Sequence, residues 1–331
     1  MKKVIITGGA GYIGAHVVKQ LTTDTTVAEI HVIDNFSQSR ENILTDPKIA
    51  YHEVDIRDAA SLKQIFVDVR PDIVMHFAAL ASVPDSVQNP SSYFDTNVIG
   101  SFNLLEAMRA VDCKKIIFSS SASVYGEPTS EVITEDHPTE PTNPYGYTKL
   151  VVENMLSSYH AAYGISSVSF RYFCAAGNEP TFTIGEYHNP ETHAIPSLVE
   201  TALGRRDEFV IYGDDFNTPD GTGVRDYIHV DDLASAHLKA FDLLRNNEVC
   251  SRYNLGINKG FSVKELINTV EKITGETLLV TVKGRRPGDP SCLIADSSRA
   301  MKDLDWTPQY TDVESIVKTA FDAFDKRNID V

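Results

Sequence analysis

Apolar residues in the first half of the chain follow two alternating rhythms. Short runs rich in Val and Ile, at residues 4–7, 29–34, 50–55, 72–78 and 115–119, read as strands. Between them, from Tyr12, from Ala59 and across residues 93–110, apolar positions recur at helical spacing. Strands that alternate with helices predict an α/β fold with a doubly wound, Rossmann-type parallel sheet. A helix over Pro144–Tyr163 and a strand over 167–172 follow, and that strand is expected to close the sheet. Beyond Gly177 the pattern loosens into Pro/Gly/Asp-rich loops such as 213–223, with a helix near 196–203 and a short strand at 208–212. Residues 1–177 therefore read as a dinucleotide-binding domain and 178–331 as a second, smaller substrate-binding lobe. The helical stretch 230–244 is expected to pack back on the first.

Bulk properties narrow the class. With 331 residues, 42% of them hydrophobic, the chain can bury a substantial core, and disorder is not a contender. The net charge of -16, with no Lys/Arg stripe, argues against nucleic-acid and anionic-membrane partners. Met1-Lys2-Lys3 imitates the start of a secretory signal, but the apolar stretch after it stops at Gly8-Gly9. Without a long apolar run, a soluble protein is expected. Cys113, Cys174, Cys250 and Cys292 lack Cys-x-x-Cys spacing, which suits free thiols in a reducing cytoplasm and suggests no metal site.

The loop Thr7-Gly8-Gly9-Ala10-Gly11-Tyr12-Ile13-Gly14 joins the first strand to the first helix, with Gly8, Gly11 and Gly14 three apart. Missing side chains allow a tight turn, close approach of a pyrophosphate to backbone N–H groups and close helix–sheet packing. Asp34 ends the second strand 20 residues after Gly14, where a carboxylate can accept both adenosine ribose hydroxyls and repel a 2′-phosphate. NAD is thus favoured over NADP, although Asp34-Asn35 also reads as a plain strand-ending turn. Asp55-Ile56 ends the third strand at the same edge, where adenine would lie. His76-Phe77-Ala78-Ala79 ends the fourth with small residues, as a backbone lying against a cofactor requires, though core packing accounts for them almost as well. Asn97 is as well suited to satisfying a buried backbone group as to touching NAD.

The chemistry centres on Tyr145 and Lys149, four apart on one helix, after the serine run Ser119-Ser120-Ser121. Four residues is about one helical turn, so the ammonium can lie beneath the phenol and favour its ionised form. A phenol with an ordinary pKa near 10 needs such a positive neighbour to act as a base at neutral pH. Ser121 would hold the same substrate oxygen.

At these residues the chain resembles the UDP-galactose (UDP-glucose) 4-epimerase family of the extended short-chain dehydrogenase/reductase superfamily. The resemblance runs nearly end to end, through TGGAGYIG, SSSASVYG, PYGYTK, RYF at 171–173, GRRDEFVIYGDD and, most specifically, DGTGVRDYIHVDDLA at 220–234. It implies that Ser121, Tyr145 and Lys149 are catalytic. It places Gly8, Gly11, Tyr12, Ile13, Gly14, Asp34, Asn35, Asp55, Ile56, Phe77, Ala78, Ala79, Asn97, Ser119 and Tyr172 beside NAD, together with Tyr145 and Lys149. The implied activity is reversible C4 epimerisation of UDP-glucose and UDP-galactose, through a 4-keto sugar and transient hydride transfer to tightly held NAD, in galactose metabolism. A homodimer through the helices near 93–110 and Pro144–Tyr163 is implied too, though an apolar face there serves a single core equally well.

The substrate lobe makes sense for a UDP-hexose. The guanidinium forks of Arg225 and Arg286 suit a diphosphate, with surface salt bridging the plainer alternative. Tyr212 could flank uracil, with Val210, His193 and Ala194 completing the slot, or be a plain core tyrosine; Asp289 could hold a ribose hydroxyl, though Gly288-Asp289-Pro290 also reads as an ordinary turn. Ser121, Tyr145, Cys174, Tyr227 and Leu293 are expected around the sugar. Three positions depart from the family pattern: Cys174 stands where members usually carry asparagine, Ala81 where several carry lysine, and Leu293 where members restricted to glucose and galactose often place tyrosine. The last raises acceptance of UDP-N-acetylhexosamines. Rival readings are a UDP-glucuronate 4-epimerase and a non-catalytic NAD-binding regulator, which would dispense with the Tyr/Lys pair. A dehydratase would need an acid/base pair where Ala122 and Ser123 follow Ser121.

Overall fold

A computed structural model describes residues 1–40, 43–181, 184, 191–286 and 289–326. The first half runs β1 (Lys2–Thr7), α1 (Tyr12–Thr22), β2 (Val27–Asp34), β3 (Ile49–Glu53), α2 (Ala59–Val69), β4 (Ile73–His76), α3 (Val83–Gln88) and α4 (Pro90–Tyr93). A π-helical stretch, Phe94–Ile99, leads into α5 (Gly100–Ala110). Then come β5 (Lys115–Ser119), a single helical turn at Ala122–Tyr125, β6 (Val132–Ile133), α6 (Pro144–Tyr163) and β7 (Ser166–Tyr172). The second half continues β8 (Cys174–Ala176), α7 (Ala194–Ala202), β9 (Phe209–Tyr212), β10 (Val224–His229), α8 (Val230–Asn246) and β11 (Cys250–Leu255). It ends with β12 (Gly260–Ser262), α9 (Val263–Thr274), β13 (Val280–Lys283), β14 (Cys292–Ala295), α10 (Ser298–Leu304) and α11 (Val313–Lys326).

Seven parallel strands form the main sheet in the order β11-β7-β5-β4-β1-β2-β3. Alternation along each strand divides the core between its faces. Val4 and Ile6 pack with Val17, Val18 and Leu21 of α1 on one face, while Ile5 points to the other, with Leu62 and Phe66 of α2 and Leu104 of α5. The expectation that the strand at 167–172 closes the sheet is corrected: β11, from the second half, pairs outside β7 and is the edge strand. The second half also contributes α8, whose Leu233, Phe241 and Leu244 join the α1 side of the core. A separate core under α7, α9 and α11, including Leu198, Val199, Leu266 and Ile316, carries the smaller sheets of the second lobe.

Local signals fix the helix that carries the chemistry. Asn143 caps α6, its Oδ1 accepting from Gly146 N at 2.9 Å; Pro144 opens the helix, and Gly164 closes it in the left-handed conformation. Among the described residues no helix is long and apolar enough to cross a membrane.

Candidate active site

The carboxyl ends of β1, β2, β4, β5 and β7 open onto one cleft of about 900 Å³, which runs from the glycine loop to the second lobe. At its sheet end Gly8, Gly11 and Gly14 line the opening. Gly8 has a positive φ of 71°, and a Cβ there would stand 2.5 Å from Ala78 N. One on Gly14 would stand 2.2 Å from Gly8 O, so these two glycines are required by close backbone packing. A Cβ on Gly11 meets only Gly8 O, at 3.3 Å. Gly11 is the N-cap of α1 and supplies no side-chain cap, so the N–H groups of that helix end face the cleft.

Asp34, at the end of β2, accepts from Ala10 N at 3.1 Å, Phe36 N at 3.0 Å and Ser39 Oγ at 3.0 Å. A carboxylate has about four acceptor sites, so it retains capacity for a ribose hydroxyl. Asn35 donates to Asp55 at 2.9 Å, and Arg57 clasps Asp55 at 2.8 Å and Asp95 at 3.2 Å. The Arg57 hydrogen bond, chiefly, holds the Asp55 carboxyl well below its usual range. Helix-end N–H donors, closely packed glycines and a strand-end carboxylate acceptor in one trough match what a dinucleotide needs; Tyr12, Ile13, Ile56, Phe77, Ala78 and Ala79 line the same stretch.

Where the cleft turns toward the second lobe, Ser121, Tyr145 and Lys149 come together. Lys149 is 3% exposed. Its Nζ donates to the Ser119 carbonyl at 2.8 Å and lies 5.7 Å from the centroid of the Tyr145 ring. The Ser119 hydroxyl is bonded to the Tyr172 hydroxyl, which ties β5 to β7 beneath the site. Burial raises the Tyr145 phenol above its ordinary value, while the Ser121 hydroxyl bonded to it pulls the other way. Burial pushes the Lys149 ammonium down to about 7. The lysine is therefore beneath the phenol as its spacing predicts, but in this setting its positive charge is marginal at neutral pH.

The second lobe supplies Val210 and Tyr212 from β9, Arg225 and Tyr227 from β10, Cys174 and Ala176 from β8, His193 and Ala194 at the start of α7, and Arg286 and Asp289. The guanidinium of Arg286 lies 3.8 Å from the Tyr212 ring centroid. Arg225 is paired with Asp289, so both arginines expected to hold phosphate already contact protein groups. Glu191 accepts from His193 N at 2.7 Å and from its ring Nδ1 at 2.9 Å. Burial pushes the Cys174 thiol up to about 11, which keeps it neutral.

Two expected residues do not line the cleft. Asn97 sits in the π-helical stretch and holds the Leu80 backbone, accepting from its N at 2.8 Å and donating to its O at 3.0 Å, with a further bond to Thr148 at 3.0 Å. The backbone-satisfying role is thus the one these bonds carry. Leu293 packs with Val124, Tyr125 and Ile133 in an apolar cluster behind the sugar end. Sequence reasoning missed Glu191, Arg206, Phe216 and Arg57, which do line the cleft. The charged ones read as ordinary surface groups because nothing in their spacing links them to the distant elements they meet.

Comparison with known proteins identifies the family. The sequence profile of the family described as GDP-mannose 4,6 dehydratase matches residues 5–319. A UDP-glucose 4-epimerase of Lacticaseibacillus casei is 44% identical over 318 residues, covering 96% of this chain and 95% of that protein. The chain belongs to the UDP-glucose 4-epimerase family. Among solved members, the Brucella ovis UDP-glucose 4-epimerase in complex with NAD superposes with a TM-score of 0.93 at 40% identity, covering 98% of each chain. The UDP-Glc/GlcNAc 4-epimerase of Campylobacter jejuni gives 0.85 at 40% identity, covering 98% of this chain and 100% of that one. The seven-stranded parallel sheet is thus the family's NAD-binding fold.

Proposed function

We propose that the chain is an isomerase that interconverts UDP-glucose and UDP-galactose by inverting sugar C4. The observation that carries this reading is that Tyr145, Lys149 and Ser121 stand in one cleft between a dinucleotide trough and an arginine-bearing lobe. The trough would hold NAD through Gly11, Tyr12, Ile13 and Asp34. When bound, NAD supplies a hydride acceptor that is also the returning donor, so no net oxidation results. Tyr145 takes the proton of the 4-hydroxyl as C4 loses hydride, Ser121 bonds the same oxygen, and the sugar becomes a 4-ketone. Arg225 and Arg286 keep the diphosphate in place while the hexose turns over. Hydride then returns to the opposite face of C4, and Tyr145 gives back its proton.

No carboxylate follows Ser121. Ala122 is 5% exposed and Ser123 carries a hydroxyl, so the C5 and C6 proton transfers of a dehydratase have no acid/base pair there. The purified protein mixed with UDP-galactose should yield UDP-glucose without added NAD and without accumulating NADH. No conversion would sink the reading, and conversion of UDP-glucuronate alone would transfer it to the uronate epimerases.

Two finer statements belong with this reading. Leu293 stays out of the cleft lining, so no side chain at that position fills the sugar pocket, and UDP-N-acetylglucosamine should turn over as well as UDP-glucose. Turnover confined to UDP-glucose would remove that breadth. The assembly is a homodimer through α5 and α6. Ile99 at the end of the π-helical stretch, Phe102 of α5 and Tyr147 of α6 are 50%, 45% and 52% exposed, apolar surface that a partner subunit would cover. Phe102→Glu should halve the mass seen in sedimentation. The four cysteines are unpaired, consistent with placement in the cytoplasm.

A further inference from the structure

We propose that Ser120 and Glu153 are positioning residues for C4 epimerisation: through them a buried ion pair locks the serine run to the Tyr145 helix. The inference rests on the epimerase reading and deepens it. The catalytic trio comes from two places, Ser121 from two residues past the end of β5 and Tyr145 with Lys149 from α6. On the cleft side the two segments meet through Lys149 Nζ, which donates to Ser119 O at 2.8 Å, and through the Ser121 hydroxyl bonded to Tyr145. Ser121 is extended, with φ -156° and ψ 149°. Ser120, between Ser119 and Ser121, does not line the cleft and is 0% exposed.

The buried hydroxyl of Ser120 donates to Glu153 Oε1 at 2.6 Å. Glu153 follows Lys149 by four residues, about one turn, on the same helix. Its carboxylate is held on both oxygens from behind. Arg171 of β7 donates from Nε at 2.9 Å and from Nη2 at 2.6 Å, and Arg252 of β11 from Nε at 2.8 Å. Arg171 continues to the Tyr125 hydroxyl at 3.0 Å, which donates to Asn254 at 2.6 Å. Every member from Ser120 to Asn254 on this path except Arg252 is at most 3% exposed.

Such an ion pair is poor evidence for stability, because desolvation offsets most of the attraction. Its directional bonds instead fix α6 in one rotation and one height against β5, β7 and β11. That matters to this reaction because a misplacement of about 1 Å between reacting groups can cost on the order of 100-fold in rate. An apolar residue at position 120 would fill the space equally well. The hydroxyl is what carries the register of the ion pair into the serine run.

Ser120→Ala in the full chain with its NAD is the test. Turnover number should fall about tenfold, while KM for UDP-galactose stays within about twofold, since the nucleotide contacts are remote from the change. The primary isotope effect with UDP-galactose deuterated at C4 should grow as hydride transfer becomes slower than the other steps. Glu153→Gln should lose turnover in the same way, and the double variant should be no slower than Glu153→Gln alone, because both changes cut one path. Unchanged turnover in Ser120→Ala, or additive losses in the double variant, would overturn the proposal while leaving the epimerase reading standing. An inactive wild-type protein would instead remove the epimerase reading itself.

Discussion

Tyr145 works in surroundings that oppose its ionisation. Burial raises its phenol, and the same burial takes Lys149 down to about 7. Tyr145→Phe should keep NAD bound yet lower turnover by about 1,000-fold, within the range that general acid–base catalysis contributes. Retained turnover would point to another base. Lys149 makes a separate prediction about stability. Its folded pKa of about 7 lies below the ordinary 10.5, so between these values the unfolded chain carries a proton that the folded one lacks. Stability from this site therefore rises with pH across that window, and the cost is fully present below about 7. Against Lys149→Met, wild-type unfolding free energy in the cofactor-free protein should improve steadily from pH 7 toward pH 10, and a flat difference would show the lysine to be normally charged. The trio was legible in the sequence because its spacing is itself the chemistry. For Asn97 the sequence leaves backbone satisfaction and cofactor contact equally open, because its partners, Leu80 and Thr148, are set by tertiary packing that no local pattern records.

The elements of the sheet were read correctly where apolar runs are continuous and missed where polar residues interrupt them. Cys250–Leu255 contains Ser251, Arg252 and Asn254, a poor advertisement for a strand beside the core. Those groups are acceptable because Arg252 reaches Glu153 and Asn254 reaches Tyr125 and the Ile133 carbonyl, all distant in sequence. The π-helical stretch from Phe94 to Ile99 was likewise hidden inside what reads as one helix over 93–110. The glycine loop, by contrast, announces itself, since its spacing follows from contacts the backbone must make. Gly14→Ala places a Cβ 2.2 Å from Gly8 O, against backbone that cannot swing aside. The variant should lose NAD on gel filtration and melt earlier than wild type. Normal cofactor content would show that the loop has more slack than its geometry allows.

At the scale of the whole molecule, an anionic substrate approaches a chain of net charge -16 and must be received by a few local cations. Arg225 and Arg286 both line the cleft, one paired with Asp289 and the other on the Tyr212 ring. Arg286→Ala should raise KM for UDP-galactose at least about tenfold with a smaller change in turnover, as loss of binding common to ground and transition states does. A fall in turnover at constant KM would place Arg286 in the chemistry instead. The loosening pattern after Gly177 suggests a boundary there, but β11 and α8 cross back to the main sheet and its core, which joins the halves more closely than a linear boundary suggests.

The central claim is that hydride leaves C4 and returns to the same carbon within one cleft. UDP-galactose carrying deuterium at C4, converted by the purified protein in ordinary water, measures this most directly. The account predicts UDP-glucose with the deuterium still at C4 and no label in the solvent. Label washed out to water, or found on free NADH, would contradict it.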